Sequence, residues 1–510
     1  MKVLSASQMR LLEQTAVDKG ATYFLLMKKA GNSVAKILIE RMNLQQNDNV
    51  CILCGKGNNG GDGFVASSYL KENGYNNVDV VLVDGLPRTV DAKAVYSNAN
   101  INKVAMCRAF ENKQKAFEKI DKADFIIDAI YGIGFKGALR EDVKEIVDRV
   151  NNSNAKVLSV DIPSGVECDT GKVQNGAFYA DVTVSFTAYK SAHLLYPSMD
   201  YCGMTIIAQV GIDDKILEDS EYLYKTIEDK DVYSSLPKRK ISAHKGSCGT
   251  LLAVCGSYGM TGAVQMCVKS AMRCGVGLVK AIVPTKIYGI LASNIIEGVF
   301  IPSKDCYKGT LSSKNISLVI KHSKTANALV VGCGLSQNKE IQQLVYAIMK
   351  NVDIPVIIDA DGINAIAKHI DILKELKQTG IITPHPKEMA RLCKVTVKEI
   401  QNNRVEYARK IAQEHKVVVV LKGANTVVAN VNGEVSINIT GNAGMAKGGS
   451  GDVLAGIISS LVAQGIDVYE ASKSGVYLHG LAGDLTKRLK GETSMLATDV
   501  IDTLPQLFNR

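Results

Sequence analysis

The sixteen residues GNAGMAKGGSGDVLAG, Gly441 to Gly456, hold six glycines and a single acid, Asp452. After the acid, Val453, Leu454, Ile457, Ile458, Leu461 and Val462 recur at helical spacing, one apolar face of a helix. Gly448, Gly449, Ser450 and Gly451 therefore read as a turn opening onto a helix N-terminus. Such a terminus carries about half a positive charge and about four unpaired N–H donors, which suits an anion. The chemistry this favours is phosphate-related, with Asp452 held at the mouth of the turn. The helix terminus favours its charged form by about 0.3–1 kcal/mol, so Asp452 is expected to be ionised and a weak base.

A second set of candidates lies in the first half. The apolar run VCILC leads into GKGNNGGDG, and a helix is expected from about Phe64. The run ADFIID ends on Asp128, ahead of a loop with Gly132, Gly134 and Gly137; KVLSVD ends on Asp161, followed by Pro163, Ser164 and Gly165. If these runs are strands of one parallel sheet, their carboxyl ends bring the glycine loop, Asp128, Asp161 and Ser164 to one edge, where ligands sit in such sheets. Each acid taken alone fits a helix cap or a turn equally well. Further on, Asp359 and Asp361 stand at another strand end, as metal ligands or as caps. His385, fixed between two prolines, reads as a ligand contact in the company of its neighbours.

The elements that would hold these residues alternate strand and helix throughout, so an α/β fold with mostly parallel sheets is expected. Ser5 and Gln8 form a capping box for a first helix. Residues 214–240 are polar and charged, and Lys238, Arg239 and Lys240 read as solvated linker. The expected division is therefore residues 1–213, a linker 214–240, and residues 241–510.

Net charge is +9 over 60 basic and 51 acidic residues, without the aromatic-interleaved basic face of a nucleic-acid protein. No apolar run approaches the roughly 18 residues of a membrane span. The start MKVLSASQMR lacks a signal-peptide core, so a cytoplasmic protein is expected, and the 12 cysteines read as scattered, reduced, buried thiols. Cys51 and Cys54 sit in an apolar run and read as core rather than a zinc pair.

GKGNNGGDG, DAIYGIG and SVDIPSGV together resemble the NAD(P)H-hydrate epimerases, a Rossmann-like three-layer domain over residues 1–213. By that resemblance Asn58, Asn59, Gly60, Gly61, Asp62, Gly132, Ile133, Gly134, Phe135, Lys136, Gly137, Ala138 and Asp161 contact the hydrated cofactor. Asp161 is then the catalytic acid/base, and Asn59, Asp128 and Ser164 hold a potassium ion. HKGSCGT, GSYGMTGA, VGCGL, TPHPKE, KGANT and GGSGDVLAG resemble the ribokinase-like NAD(P)H-hydrate dehydratases over 241–505. There Ala263, Gly334, His385 and Asp452 fall where the family contacts the hydrate, with Asp452 catalytic. Lys422, Gly423, Ala424, Asn425, Thr426 and Gly451 fall where it holds the adenine nucleotide. Lys387, Cys333, Lys447 and Ser450 depart from the family pattern.

The resemblance implies a fused repair enzyme with small-molecule partners: hydrated NADH or NADPH, and ADP or ATP with magnesium. No nucleic acid or membrane partner is implied, and a homo-oligomer is expected. The rival readings are a ribokinase-like small-molecule kinase with an accessory domain, and a non-catalytic adaptor role for the first half.

Overall fold

The structure is a computed structural model that describes residues 1–306 and 308–509. It divides into two compact units, Met1–Tyr224 and Lys225–Arg510. The stretch 214–240 carries a helix (Asp214–Asp219), a strand (Tyr224–Thr226) and a second helix (Asp229–Ser235). Ile227 and Val232 are buried in the core of the second unit.

The first unit is built on a parallel sheet in the order Ala105–Arg108, Val78–Leu82, Val50–Cys54, Phe125–Ala129, Lys156–Val160, Val182–Phe186, Met204–Ala208. Val50–Cys54 and Phe125–Ala129 are buried at every position, as strands covered on both faces must be. The order reverses between these two strands, which opens a crevice beyond their carboxyl ends. The Ser5–Gln8 capping box starts helix Ala6–Asp18.

One expectation is corrected here. The helix after the first strand begins at Asn58, not near Phe64, and runs to Glu72. The glycines of GKGNNGGDG are thus not a loose loop but the first turns of a helix pressed onto its neighbours. A Cβ on Gly60 would lie 2.0 Å from the Gly55 carbonyl oxygen, and one on Gly63 would lie 2.8 Å from the Ala129 side chain. Close approach, rather than flexibility, requires glycine here.

The second unit has a larger sheet in the order Tyr224–Thr226, Val435–Ile437, Val427–Ala429, Val418–Leu421, Ile381–Ile382, Val356–Ile358, Ala328–Val331, Thr250–Val254, Leu278–Pro284, Val299–Ser303. Only the pairings on either side of Val427–Ala429 are antiparallel among these strands. The order reverses between Thr250–Val254 and Ala328–Val331. Helix Ser450–Ala463 packs on helix Thr261–Arg273 so closely that a Cβ on Gly456 would lie 2.2 Å from the Cys267 carbonyl oxygen. All cysteines are free thiols, with Cys51 and Cys54 in the core. Among the described residues no helix is long and apolar enough to cross a membrane.

Candidate active sites

In the first unit the chain turns sharply at the end of strand Lys156–Val160. The Ile162 N–H donates to the Val160 carbonyl at 2.8 Å, and Asp161 between them has φ +64°. This left-handed turn directs the acid inward. Its Oδ1 accepts from Lys190 Nζ at 2.7 Å, a pair with side-chain exposures of only 9% and 1%. Lys190 also donates to Ser185 Oγ and the Phe186 carbonyl, which uses all three of its protons. His193 Nδ1 accepts from the Lys190 N–H, so its Nε2 carries the hydrogen bonded to the Asp161 carbonyl at 2.7 Å. Burial, then the Lys190 charge, pushes the His193 ring down to about 4 and keeps it neutral.

Glu13 and Asp62 complete the cluster. Burial and then the charge of Asp161 raise both carboxyls, Asp62 well above the usual carboxylate range. Arg10 lies beside Gly134, where a Cβ would come within 3.4 Å of its guanidinium. Lys190, His193, Glu13 and Arg10 carry no motif in the sequence. Only the i, i+3 spacing of Arg10 and Glu13 on one helix gave a signal that could have found any of them.

Asp128 is fully buried and accepts the Ser164 N–H (2.7 Å), Ser164 Oγ (2.6 Å), Ser159 Oγ (3.0 Å) and the Ile130 N–H (3.3 Å). Burial outweighs these bonds and lifts its carboxyl to about 6. Ser164 Oγ accepts the Tyr131 N–H in turn. Asn59 meets the same loop: a Cβ on Gly132 would lie 2.9 Å from Asn59 Oδ1, and Asn59 Nδ2 is buried without a hydrogen-bond partner. Gly55 is pressed against Ile130, its Cβ position 2.1 Å from that carbonyl oxygen. These contacts bring Asn59, Asp128 and Ser164 to one place.

Asn58, Gly60 and Gly61 form the adjoining helix start. The loop from Gly132 is shaped by stacking of Tyr131 on Phe135 and by the Gly137 N–H bonded to Glu167, with Ile133 packed into the core and Lys136 and Ala138 exposed. A groove of about 1020 Å³ lined by Asn43, Asp124, Arg149 and Lys156 opens at the amino ends of the strands. Parallel sheets bind ligands at the other end.

In the second unit Gly449 caps helix Ser450–Ala463 with φ +97°, and Asp452 lies in its first turn. Asp452, Asp359 and Cys333 present an oxygen, an oxygen and a sulfur within 4.8 Å of one another. Burial first, then the Asp359 charge, raises the Asp452 carboxyl to about 6, against relief from a Cys333 hydrogen bond and Lys422. This corrects the sequence expectation of a weak base, because desolvation exceeds the helix terminus effect. Lys422 Nζ pairs with Asp359 Oδ1 at 2.7 Å and lies at the Gly451 turn, 3.3 Å from where a Cβ there would be.

Asp359 and Asp361 do not act together. Ala360 between them has φ +46°, which parts them. Asp359 meets Lys422 and Thr383, while Asp361 accepts the Ser336 N–H at 2.7 Å and fixes a loop. His385 caps helix Pro386–Cys393, its Nδ1 accepting from the Lys387 and Glu388 N–H groups. Burial, then the nearby Lys422 charge, holds its ring below the usual value. Gly334 and Ala263 are neighbours, a Cβ on the former falling 3.0 Å from the latter.

Beneath Lys422–Thr426 lies Arg404, which the sequence did not reveal. It is 3% exposed and donates to the carbonyls of Ala424, Leu421 and Lys422. Of the departures, Lys447 reaches away to the Thr493 carbonyl, Ser450 Oγ braces the turn through the Met445 carbonyl, Lys387 is exposed, and Cys333 is buried beside the two acids.

Each unit is thus an α/β body with carboxylates gathered beyond the carboxyl ends of its strands, in the manner of a two-site α/β enzyme. The family described as NAD(P)H-hydrate dehydratase matches residues 251–506, and the family described as YjeF-related protein N-terminus matches residues 24–192. The bifunctional NAD(P)H-hydrate repair enzyme Nnr of Moorella thermoacetica is 36% identical over 515 residues, covering 100% of this chain and 97% of that protein. Its namesake from Escherichia coli is 32% identical, covering 99% and 93%. A solved ADP/ATP-dependent NAD(P)H-hydrate dehydratase from Bacillus subtilis is 30% identical over 56% of this chain and 99% of its own, with a TM-score of 0.49. The chain belongs to the family of bifunctional NAD(P)H-hydrate repair enzymes. The resemblance read from the sequence is borne out.

Proposed function

We propose that the first unit interconverts the two epimers of hydrated NADH or NADPH, and that the second dehydrates the S form at the expense of ADP or ATP. The observation that carries this reading is that each unit of a family member holds an acid in a glycine-tight crevice with a lysine at hand: buried Asp161 paired with Lys190, and half-buried Asp452 beside the Asp359–Lys422 pair. In the first unit, Asp161 is the acid/base: it gives a proton to the hydroxyl as this leaves the ring carbon as water and takes one back as water re-adds, or serves the equivalent ring-opening route. Lys190 and His193 hold Asp161 in place. Among the described residues Asp161 Oδ2 accepts no hydrogen bond, which leaves it for substrate.

Asn59, Asp128 and Ser164 fit a potassium ion. Their oxygens are hard donors, and among the described residues no cationic side chain pairs with the buried Asp128 carboxylate. A bound potassium ion would orient substrate oxygens and supplies no redox chemistry. In the second unit, Asp452 takes the proton of the hydrate hydroxyl while that oxygen receives the phosphoryl group. Loss of phosphate and a ring proton then restores the reduced ring. Lys422 and the N–H groups of the Gly449–Ser450–Gly451 turn would stabilise the transferring phosphoryl, and Lys422–Thr426 would hold the nucleotide. Asp359 and Asp452, as a carboxylate pair, fit a magnesium ion shared with nucleotide phosphates.

The test is incubation of mixed hydrate epimers with ADP or ATP, following reduced-ring absorbance and inorganic phosphate. Full recovery of both epimers is expected, and Asp452→Asn should slow it by about 10²–10⁴. A stable phosphorylated product would instead establish a kinase.

A further inference from the structure

We propose that Cys255, Cys267 and Cys333 form a binding site for one thiophilic divalent cation of the zinc class, set against Asp452, and that filling it shuts down the second active site. The three sulfurs lie within 4.8 Å of one another. A tetrahedral zinc with bonds of about 2.3 Å needs its sulfurs roughly 3.8 Å apart, which this spacing accommodates. Each thiol is fully buried and each comes from a different element. Cys255 follows strand Thr250–Val254, Cys267 is on helix Thr261–Arg273, and Cys333 follows strand Ala328–Val331. The Gly256 N–H donates to the Cys333 carbonyl at 2.9 Å, which ties two of the three elements together where the sheet order reverses.

Buried thiols often serve only as small apolar groups. Two features take this cluster further. Cys333 belongs at once to the thiol group and to the group with Asp359 and Asp452, so the sulfurs adjoin carboxylates rather than ending in the core. Those carboxylates offer an oxygen for a fourth ligand position. Soft sulfur selects against magnesium, which the same acids would hold only through oxygen. Charge selects valence: three thiolates leave a net −1 on a divalent cation but −2 on a monovalent one, and a buried site favours the smaller charge. Lys422, already beside Asp359, offsets it.

Binding involves no oxidation. Three S–H bonds give up their protons to solvent as three metal–sulfur bonds form. One of these protons is that of Cys333, whose Sγ donates to Asp359 Oδ2 at 3.9 Å with Asp452 alongside. Its loss, with a cation fixed alongside, alters the acid on which dehydration depends. Cation binding stands by itself; the inhibition rests on the role of Asp452 proposed above.

The experiment uses the full chain, reduced and stripped of metal, titrated with Cd²⁺ as the probe. Thiolate-to-cadmium charge-transfer absorbance and proton release in weak buffer are followed, with both activities measured in parallel. Expected are saturation at one Cd²⁺ per chain, release of about three protons, competition by Zn²⁺, and loss of dehydration in step with occupancy while epimerisation continues. Cys267→Ala and Cys255→Ser should each weaken binding by more than about 100-fold, whereas Cys393→Ala should not change it. No saturable charge-transfer band, or wild-type affinity in both cluster variants, overturns the site. If a cluster variant does not fold, proton release and stoichiometry of the wild type decide. Stoichiometric binding with dehydration unaffected upholds the site and overturns the switch.

Discussion

Asp359→Asn should move the acid limb of the dehydration profile to lower pH. In the unaltered protein Asp452 titrates at about 6, raised by burial and then by the Asp359 charge. In the mechanism proposed above its ionised form takes the hydroxyl proton, so activity should fall as pH drops through that value. The ligand oxygens of the two acids lie within 4.8 Å. At an effective dielectric constant of about 20, unit charges at that separation repel by about 3.5 kcal/mol. This corresponds to roughly 2.5 pKa units at about 1.36 kcal/mol each. Lys422, 2.7 Å from Asp359, already cancels much of that field, so the direct effect is a fraction of it. Removing the Asp359 charge also leaves the Lys422 ammonium to favour ionised Asp452, in the same direction. The limb should therefore move down by about one unit or more. The assay is kcat/KM for dehydration of the S hydrate from pH 4 to 9, which reports the free enzyme. Position, not height, is the readout, so a slower variant still answers. A limb that stays near 6 or moves upward would refute the reasoning.

Stability carries the same sign. A carboxyl raised on folding binds its proton more tightly in the folded state. Its contribution is present at low pH and lost as pH rises from about 4 to 6, and Asp359→Asn should flatten that decline in urea titrations.

Asp161→Asn should abolish epimerisation and spare dehydration of purified S hydrate; loss of both activities would show that the two sites do not act independently. Lys190→Met leaves a buried carboxylate without its cation, and should destabilise the first unit by about 3–5 kcal/mol. Adding Asp161→Asn should recover part of that loss, and a double variant no more stable than Lys190→Met would count against the pair. Arg404→Met strips a donor from the carbonyls of Leu421, Lys422 and Ala424. Each orphaned carbonyl costs about 1–3 kcal/mol. The nucleotide KM should rise with little change in kcat, and an unchanged KM would show that Arg404 does not shape that loop.

The α/β class was legible, and candidate site residues could be put at strand ends, because strand runs, glycine turns and terminal acids are local patterns. What escaped was set by partners distant in sequence. Lys190 lies 29 residues from the acid it holds, and nothing around it marks a buried lysine. Arg404 bonds carbonyls 17 to 20 residues away. GKGNNGGDG looked like a loop because the sequence shows where glycine is but not what presses on it. Asp359 and Asp361 looked like a pair because alternation along an extended chain puts them on one face. A left-handed residue between them reverses that, and Ala360 gives no warning of it. The Asp452 carboxyl was misjudged for the same reason: the helix terminus is readable locally, whereas burial and the Asp359 charge come from the assembled site.

The left-handed turn at Asp161 bears on how this enzyme can fail in a population. Glycine, asparagine and aspartate are the residues that tolerate such a backbone most readily. Asparagine and glycine codons lie a single base change from aspartate. The substitutions within one base change at this position therefore include ones that keep the chain's shape while deleting its charge. Inactive alleles arising here should accumulate as full-length, folded protein with a working second unit, invisible to abundance measurements and detectable only as a persistent excess of one epimer.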